Sequence, residues 1–258
     1  MNGHLRTSAP PHFRTPFSKS VRKCGGAEVA FALLIAVLVS ACDSLPGKPT
    51  PEEKPLRPAE VTDFATLYGA NCAGCHGSDG KLGGARPFDD AVYLALIGET
   101  RLAQVTARGV ANSAMPGFAP AAGGMLTDAQ IDLLAKGIMA KWGKANALAG
   151  ATAPAYESSG GGDAQRGAAA FATHCAACHG ADGSGTNQGG SVVDGAYLGL
   201  VSDQALRSAV LAGRIDLGMP DWRGAPGGTP MTDQQVTDVV AWLVSKRPQF
   251  PGQPYGGK

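Results

Sequence analysis

The pattern Cys-x-x-Cys-His occurs twice in this 258-residue chain, at residues 72–76 and 175–179. Each copy belongs to a longer repeat, because the first cysteines of the two copies are 103 residues apart and the Met-Pro pairs that follow them are 104 apart. Self-similarity at a long period indicates a duplicated structural unit. The sequence therefore predicts two similar domains, residues 60–144 and 163–248, each within the usual size range of a small domain.

The thiols and imidazole of this pattern suit covalent attachment of haem. Two cysteines separated by two residues can bond to the vinyl groups of a porphyrin, and the histidine that follows can coordinate the iron. The predicted attachment residues are Cys72, Cys75, Cys175 and Cys178, and the predicted iron ligands are His76 and His179. The chain is therefore expected to hold two haem c groups.

Two other uses of paired cysteines agree less well with the surroundings of the motifs. A thioredoxin-like redox pair is expected near a βαβ pattern, which the Gly- and Ala-rich flanks do not show. A zinc site needs further Cys or His ligands at suitable spacing. The remaining ones are Cys24, Cys42, His4, His12 and His174, and most of them lie in the leader.

The first 41 residues have the organisation of an export signal. A basic stretch precedes an apolar run at residues 29–39, which is too short to span a bilayer comfortably. The run ends in Val39-Ser40-Ala41-Cys42, which resembles the bacterial lipobox, and this resemblance implies lipidation of Cys42 after cleavage. The protein is then expected on the periplasmic side of the inner membrane, held by its lipid. The alternatives are an ordinary signal peptide, which would give a soluble periplasmic protein, and an uncleaved anchor.

The segments outside the two domains are rich in residues that disfavour packed structure. Residues 42–59 contain five prolines and predict an extended, semi-rigid spacer. Residues 145–162 end in Ser-Ser-Gly-Gly-Gly and predict a flexible linker, and residues 249–258 form a tail. The formal net charge is only +1 and no basic cluster follows the leader, so nucleic acid is not an expected partner.

Apolar spacing and capping residues predict helices within each domain. Two capping boxes, Thr127 with Gln130 and Thr232 with Gln235, open the last helix of each repeat. The predicted helices are residues 60–70, 91–97, 102–108 and 128–142 in the first domain and residues 233–246 in the second.

Beyond the motifs, each half resembles a class I c-type cytochrome, in which an N-terminal helix, Cys-x-x-Cys-His, a Met-Pro loop and a C-terminal helix follow in that order. The resemblance implies an all-α fold in which a few helices wrap around one covalent haem. That family often has a glycine in the first helix and an aromatic residue in the last, as Gly167 and Trp242 provide. The first domain has Phe64 and Gly137 instead, so a wider helix crossing is expected there.

Methionine is the expected second axial ligand of each iron, because its sulfur raises the potential and closes the site to substrates. Met115 and Met219 lie 39 and 40 residues after the motif histidines, and the proline after each disfavours helix at the methionine. The alternative pair, Met125 and Met231, directly precedes the last helices, where a methionine is expected to pack as a staple or core filler.

With both irons six-coordinate, the expected function is single-electron transfer without a small-molecule substrate, so the chain is expected to be an electron carrier and not an enzyme by itself. Its resemblance to diheme periplasmic carriers and to the cytochrome domains of oxidase complexes implies redox partners such as a quinol-oxidising complex, a terminal oxidase or a reaction centre. Two alternatives are a diheme enzyme, similar to a peroxidase or thiosulfate dehydrogenase, and an obligate cytochrome subunit of a respiratory or photosynthetic complex.

Overall fold

This computed structural model describes residues 55–111, 113–225 and 227–249. These residues contain nine α-helices. The first domain contains α1 (Phe64–Asn71), α2 (Ala73–His76), α3 (Ala91–Arg108) and α4 (Asp128–Trp142). The second contains α5 (Ala164–His174), α6 (Ala176–His179), α7 (Gly195–Leu200), α8 (Asp203–Ala212) and α9 (Asp233–Ser245). No β-strand occurs in these residues, so the predicted all-α fold is confirmed.

The predicted leader with Cys42, most of the spacer and nearly all of the tail lie outside the described residues. Within the described ranges, no helix combines the length and the apolar character that crossing a membrane would require.

Side-chain caps determine where the helices begin. Thr127 and Gln130 exchange backbone-to-side-chain hydrogen bonds of 3.0 and 3.2 Å at the start of α4, and the equivalent pair does the same at the start of α9. Both predicted capping boxes are therefore confirmed. By contrast, α1 begins at Phe64 and not at residue 60, because the Asp63 carboxylate accepts a hydrogen bond from the Thr66 backbone and caps the helix there.

The middle of each domain contains two helical segments. In the first domain these segments are joined as α3, which is kinked at Gly98, where the backbone is non-helical with φ 67°. In the second domain α7 and α8 are separate helices, and Ser202 caps α8 through a hydrogen bond from the backbone of Ala205. The sequence repeat is thus also a structural repeat.

In each domain the first helix crosses the last helix at a glycine. This glycine lies on the first helix in the second domain and on the last helix in the first domain. A Cβ atom at Gly167 in α5 would lie 2.0 Å from the carbonyl oxygen of Asp238 in α9, so these helices meet backbone to backbone. A Cβ atom at Gly137 in α4 would instead meet the ring of Phe64 from α1, at 2.1 Å. A side chain therefore separates the helices of the first domain, as its sequence predicts.

The two domains and the segment between them belong to one compact unit. Arg207 of α8, only 2% exposed, donates a 3.1 Å hydrogen bond to the carbonyl oxygen of Tyr156. From the first domain, Tyr93 packs edge-on against the Tyr156 ring and Arg101 forms an ion pair with Glu157. Composition predicts a flexible linker here, whereas Tyr156 and Glu157 contact both domains, through a backbone carbonyl towards the second and through side chains towards the first.

Candidate functional site

In each domain the first helix runs directly into the Cys-x-x-Cys-His motif. Cys72 ends α1, where its N–H donates to the Tyr68 carbonyl at 2.8 Å, and α2 then carries the chain through one turn to His76. Cys175 and His179 repeat this arrangement at the end of α5 and in α6. One helical turn thus brings the thiols and the imidazole of each motif together.

None of the four motif cysteines forms a disulfide. Burial, with a smaller contribution from the neighbouring cysteine, raises the pKa of both Cys72 and Cys175 to about 11. These thiols are therefore protonated at neutral pH, in contrast to the thiolates of redox-active Cys-x-x-Cys pairs.

Backbone carbonyl groups orient both motif histidines. The Nδ1 atom of His76 lies 2.8 Å from the carbonyl oxygen of Arg86, and that of His179 lies 2.8 Å from the carbonyl oxygen of Gly190. A carbonyl oxygen can only accept, so Nδ1 is the donor and Nε2 keeps the lone pair that a metal requires. Moreover, His76 Nε2 is buried without a hydrogen-bond partner. An orphaned imidazole nitrogen of this kind fits an axial ligand of haem iron.

The surroundings of His76 keep its ring neutral and fixed. Burial lowers the pKa of His76, and the hydrogen bond to the Arg86 carbonyl offsets this only in part. Phe88 stacks on the imidazole with ring centroids 4.1 Å apart and planes inclined by 16°. The neutral imidazole is the form that coordinates metals, so these contacts favour ligation.

The two Met-Pro loops have two backbone contacts in common. The carbonyl oxygen of each methionine accepts a backbone hydrogen bond from the start of its loop, at 3.1 Å for Met115 and 3.0 Å for Met219. Each loop also closes onto the glycine that ends the preceding helix. A Cβ atom would lie 2.7 Å from the Met115 oxygen if added at Gly109, and 2.5 Å from the Met219 oxygen if added at Gly213. The methionine carbonyl of each loop is therefore packed closely against the end of the preceding helix, which suits a ligand loop.

The alternative methionines occupy very different environments. Met231 is 7% exposed, and its N–H donates to the carbonyl oxygen of Trp222 at 2.8 Å, so the prediction that it packs in the core is confirmed. The same prediction is wrong for Met125, which is 83% exposed. The following residue, Leu126, takes the buried position because its N–H bonds to the Phe118 carbonyl and turns its side chain inward.

Arg86 is a residue of the site that the sequence does not reveal. Its contact with His76 uses a backbone carbonyl, which no pattern of side chains reveals. The one signal at this position is Pro87, which restricts the preceding residue to extended backbone. The counterpart Gly190 is followed by serine, so even this signal is absent from the second domain.

Comparison with known families divides the chain as the repeat does. Residues 164–246 match the family of cytochrome c, and residues 59–136 match the family described as cytochrome c oxidase, cbb3-type, subunit III. Each matched range contains one Cys-x-x-Cys-His motif and one Met-Pro pair. No curated protein matches the chain.

Proposed function

Since the chain belongs to the c-type cytochromes and holds one haem c in each half, we propose that it carries single electrons between redox proteins at the periplasmic face of a membrane. Bound haem c supplies a one-electron couple, and the protein attaches, ligates and buries it. In this proposal His76 with Met115 would ligate one iron, and His179 with Met219 would ligate the other. The protein would then need no substrate bound at iron.

One observation carries the proposal: each domain combines a carbonyl-oriented histidine with a Met-Pro loop closed onto a helix end. The orphaned Nε2 of His76 is the atom that this arrangement leaves for iron. A fixed ligand pair favours electron transfer, because little rearrangement is needed when the iron changes oxidation state. It disfavours a peroxidase, in which one axial position must open.

The family description of residues 59–136 favours a terminal oxidase among the proposed partners. The chain would deliver electrons to such an oxidase from a quinol-oxidising complex, or would be bound to the oxidase as a dedicated cytochrome subunit. Co-purification of the oxidase with the intact cytochrome distinguishes a bound subunit from a free carrier.

The proposed location rests on the sequence that ends at Cys42. Lipidation there would hold the protein near membrane redox complexes, which raises its effective concentration without any new contact. The intact mass of the mature protein tests this. A mass that begins at Cys42 with added acyl groups supports the lipid anchor, and an unmodified mass that begins elsewhere removes it.

The ligand assignment is tested by replacing one methionine at a time in the holoprotein. Met115→Ala and Met219→Ala should each remove about half of the sulfur-to-iron charge-transfer band, and each opened iron should bind carbon monoxide. The affected haem should also have a lower potential, because methionine sulfur stabilises ferrous iron.

Met231→Ala is the matched control, since this methionine lies in the same domain as Met219 but is buried in the core. It should leave the band whole. The assignment is wrong if Met231→Ala removes half of the band and Met219→Ala does not. Ready binding of carbon monoxide by the unaltered protein would overturn the carrier function itself.

A further inference from the structure

Arg86 contacts both domains at once. Its carbonyl oxygen accepts the hydrogen bond from His76 Nδ1 in the first domain, at 2.8 Å. Its guanidinium donates to the carbonyl oxygen of Gly213 in the second domain, at 2.9 Å. The same terminal nitrogen lies 2.9 Å from the Asp90 carboxylate, and the guanidinium covers the Tyr93 ring at 4.7 Å. With 17% of its side chain exposed, Arg86 is held firmly in this position.

The side chain of Arg86 thus forms a bridge from the first domain to Gly213. Gly213 is the residue against which the second Met-Pro loop packs. Gly213 ends α8 with φ 70°, and a Cβ atom there would lie 2.5 Å from the carbonyl oxygens of both Met219 and Pro220. A displacement of the Gly213 peptide must therefore displace the loop. A continuous series of contacts thus leads from His76 through Arg86 and Gly213 to Met219.

The bridge is absent from the other half of the repeat. Gly190 holds the position equivalent to Arg86, because its carbonyl accepts the hydrogen bond from His179, but it has no side chain. The arginine is therefore not required to orient a motif histidine. The side chain of Arg86 instead contacts the neighbouring domain, which Gly190 cannot do.

We propose that Arg86 is a positioning residue that couples the two haem sites, holding His76 through its backbone and the Met219 loop through its side chain. This inference rests on the proposed function in taking His76 and Met219 as iron ligands. A charged donor makes a stronger hydrogen bond than a neutral one. Partners that bond to the Nδ1 atom of a ligating histidine tune the metal. Loss of the side chain should therefore change both haems, although it touches neither iron.

The test compares three variants of the holoprotein in a potentiometric titration that resolves the two one-electron components. Arg86→Gln with Asp90→Asn removes the bridge without leaving a buried carboxylate unpaired. Asp90→Asn alone keeps the contact between Arg86 and Gly213, and asparagine still caps α3. Arg101→Gln removes the ion pair between α3 and Glu157, which holds the first domain to the segment between the domains and involves neither motif histidine.

The double variant should shift both components, each by up to tenfold in electron affinity, which is about 59 mV for a one-electron couple. It should also weaken the charge-transfer band of the second haem. Asp90→Asn and Arg101→Gln should leave both components near their original potentials. The proposal is overturned if the double variant moves neither component or only one, or if Arg101→Gln moves both equally, which would mean that any loosening of the domain contact has the same effect.

Should the double variant fail to fold, Arg86→Lys decides. Lysine keeps the charge but lacks the planar fork that spans Asp90 and Gly213. A smaller shift of both components supports the proposal, and unchanged potentials overturn it. Failure of the ligand assignment has a different signature, because Met219→Ala would then leave the band intact whatever the Arg86 variants do.

Discussion

Gly167 and Asp238 bring the first and last helices of the second domain into direct backbone contact. The 2.0 Å between a Cβ atom at Gly167 and the Asp238 carbonyl oxygen is far less than two atoms can tolerate, so glycine is required here by space alone. In the first domain Gly137 has the corresponding role on the opposite helix, against the Phe64 ring. The two repeats thus have the same helix crossing, but the glycine that allows it lies on different helices.

Gly167→Ala should destabilise the second domain by about 3 kcal/mol, at the upper end of the cost of overpacking, because the methyl group meets backbone and has nowhere to go. Gly137→Ala should cost a similar amount alone but less in a Phe64→Ala background, since removal of the ring frees the space. Thermal unfolding of the holoprotein, followed by circular dichroism, measures both effects.

Gly69→Ala is the control for this pair, because nothing lies within 4 Å of a Cβ atom at Gly69 in α1. It should be neutral or stabilising by about 0.5–1 kcal/mol, as expected for alanine replacing an exposed helical glycine. The explanation by close approach fails if Gly167→Ala is as well tolerated as Gly69→Ala.

The sequence predicts the start of α4 to the residue, because the Thr127–Gln130 capping box is a local signal and the structure uses it locally. The start of α1 is missed by four residues. The apolar pattern predicts a helix that begins at residue 60. The side chain of Asp63 instead caps the helix, so that it begins at Phe64. Where two local signals compete, the hydrogen bond to the backbone determines the boundary.

The acid stability of the second domain should depend on Asp238. This carboxylate accepts hydrogen bonds from Arg166, the Asp163 backbone and Gln234, and the bonds from Arg166 chiefly lower its pKa to about 2. A depressed folded-state pKa means that the stabilisation is complete above the unfolded-state value, about 4, and is lost as the pH falls towards 2.

Asp238→Asn should therefore lower the free energy of unfolding at neutral pH by roughly 2 kcal/mol, typical of a hydrogen bond to a charged group. The difference from the unaltered protein should shrink between pH 4 and pH 2. Chemical denaturation at several pH values measures it, and Arg166→Gln should reproduce the pattern. Parallel stability curves for variant and unaltered protein over this range would contradict the assignment.

The alternative methionines should differ sharply in their contribution to stability. Met231→Ala should cost about 2–5 kcal/mol, because the side chain is buried and its removal leaves a cavity. Met125→Ala should change stability by no more than about 0.5 kcal/mol, as expected for an exposed side chain. Equal losses from the two variants, measured by denaturant unfolding, would contradict this difference.

The motif residues of the site are predictable because their chemistry is encoded in neighbouring positions of the chain. Arg86 and the packed segment around Tyr156 are not, since each contact joins an arginine side chain to a backbone carbonyl far away in the sequence. Arg86 donates to the Gly213 carbonyl and Arg207 donates to the Tyr156 carbonyl, and these groups come within reach only when the domains dock. Sequence spacing carries no information about such docking. The glycine against which each Met-Pro loop packs is only partly predictable. The repeat shows that Gly109 and Gly213 are equivalent, but it does not show that the loop packs against them.

Gly213→Ala should open the second haem selectively. The new methyl group would meet the carbonyl oxygens of Met219 and Pro220, and the φ of 70° adds backbone strain, so the Met-Pro loop must move away. The variant should lose about half of the sulfur-to-iron charge-transfer band and begin to bind carbon monoxide.

Gly218→Ala is the matched control, since it has φ 82° but nothing within 4 Å of the added Cβ atom. It should cost about 1–3 kcal/mol of strain and leave the band whole. If both variants lose the band equally, strain and not the close approach at Gly213 controls the loop.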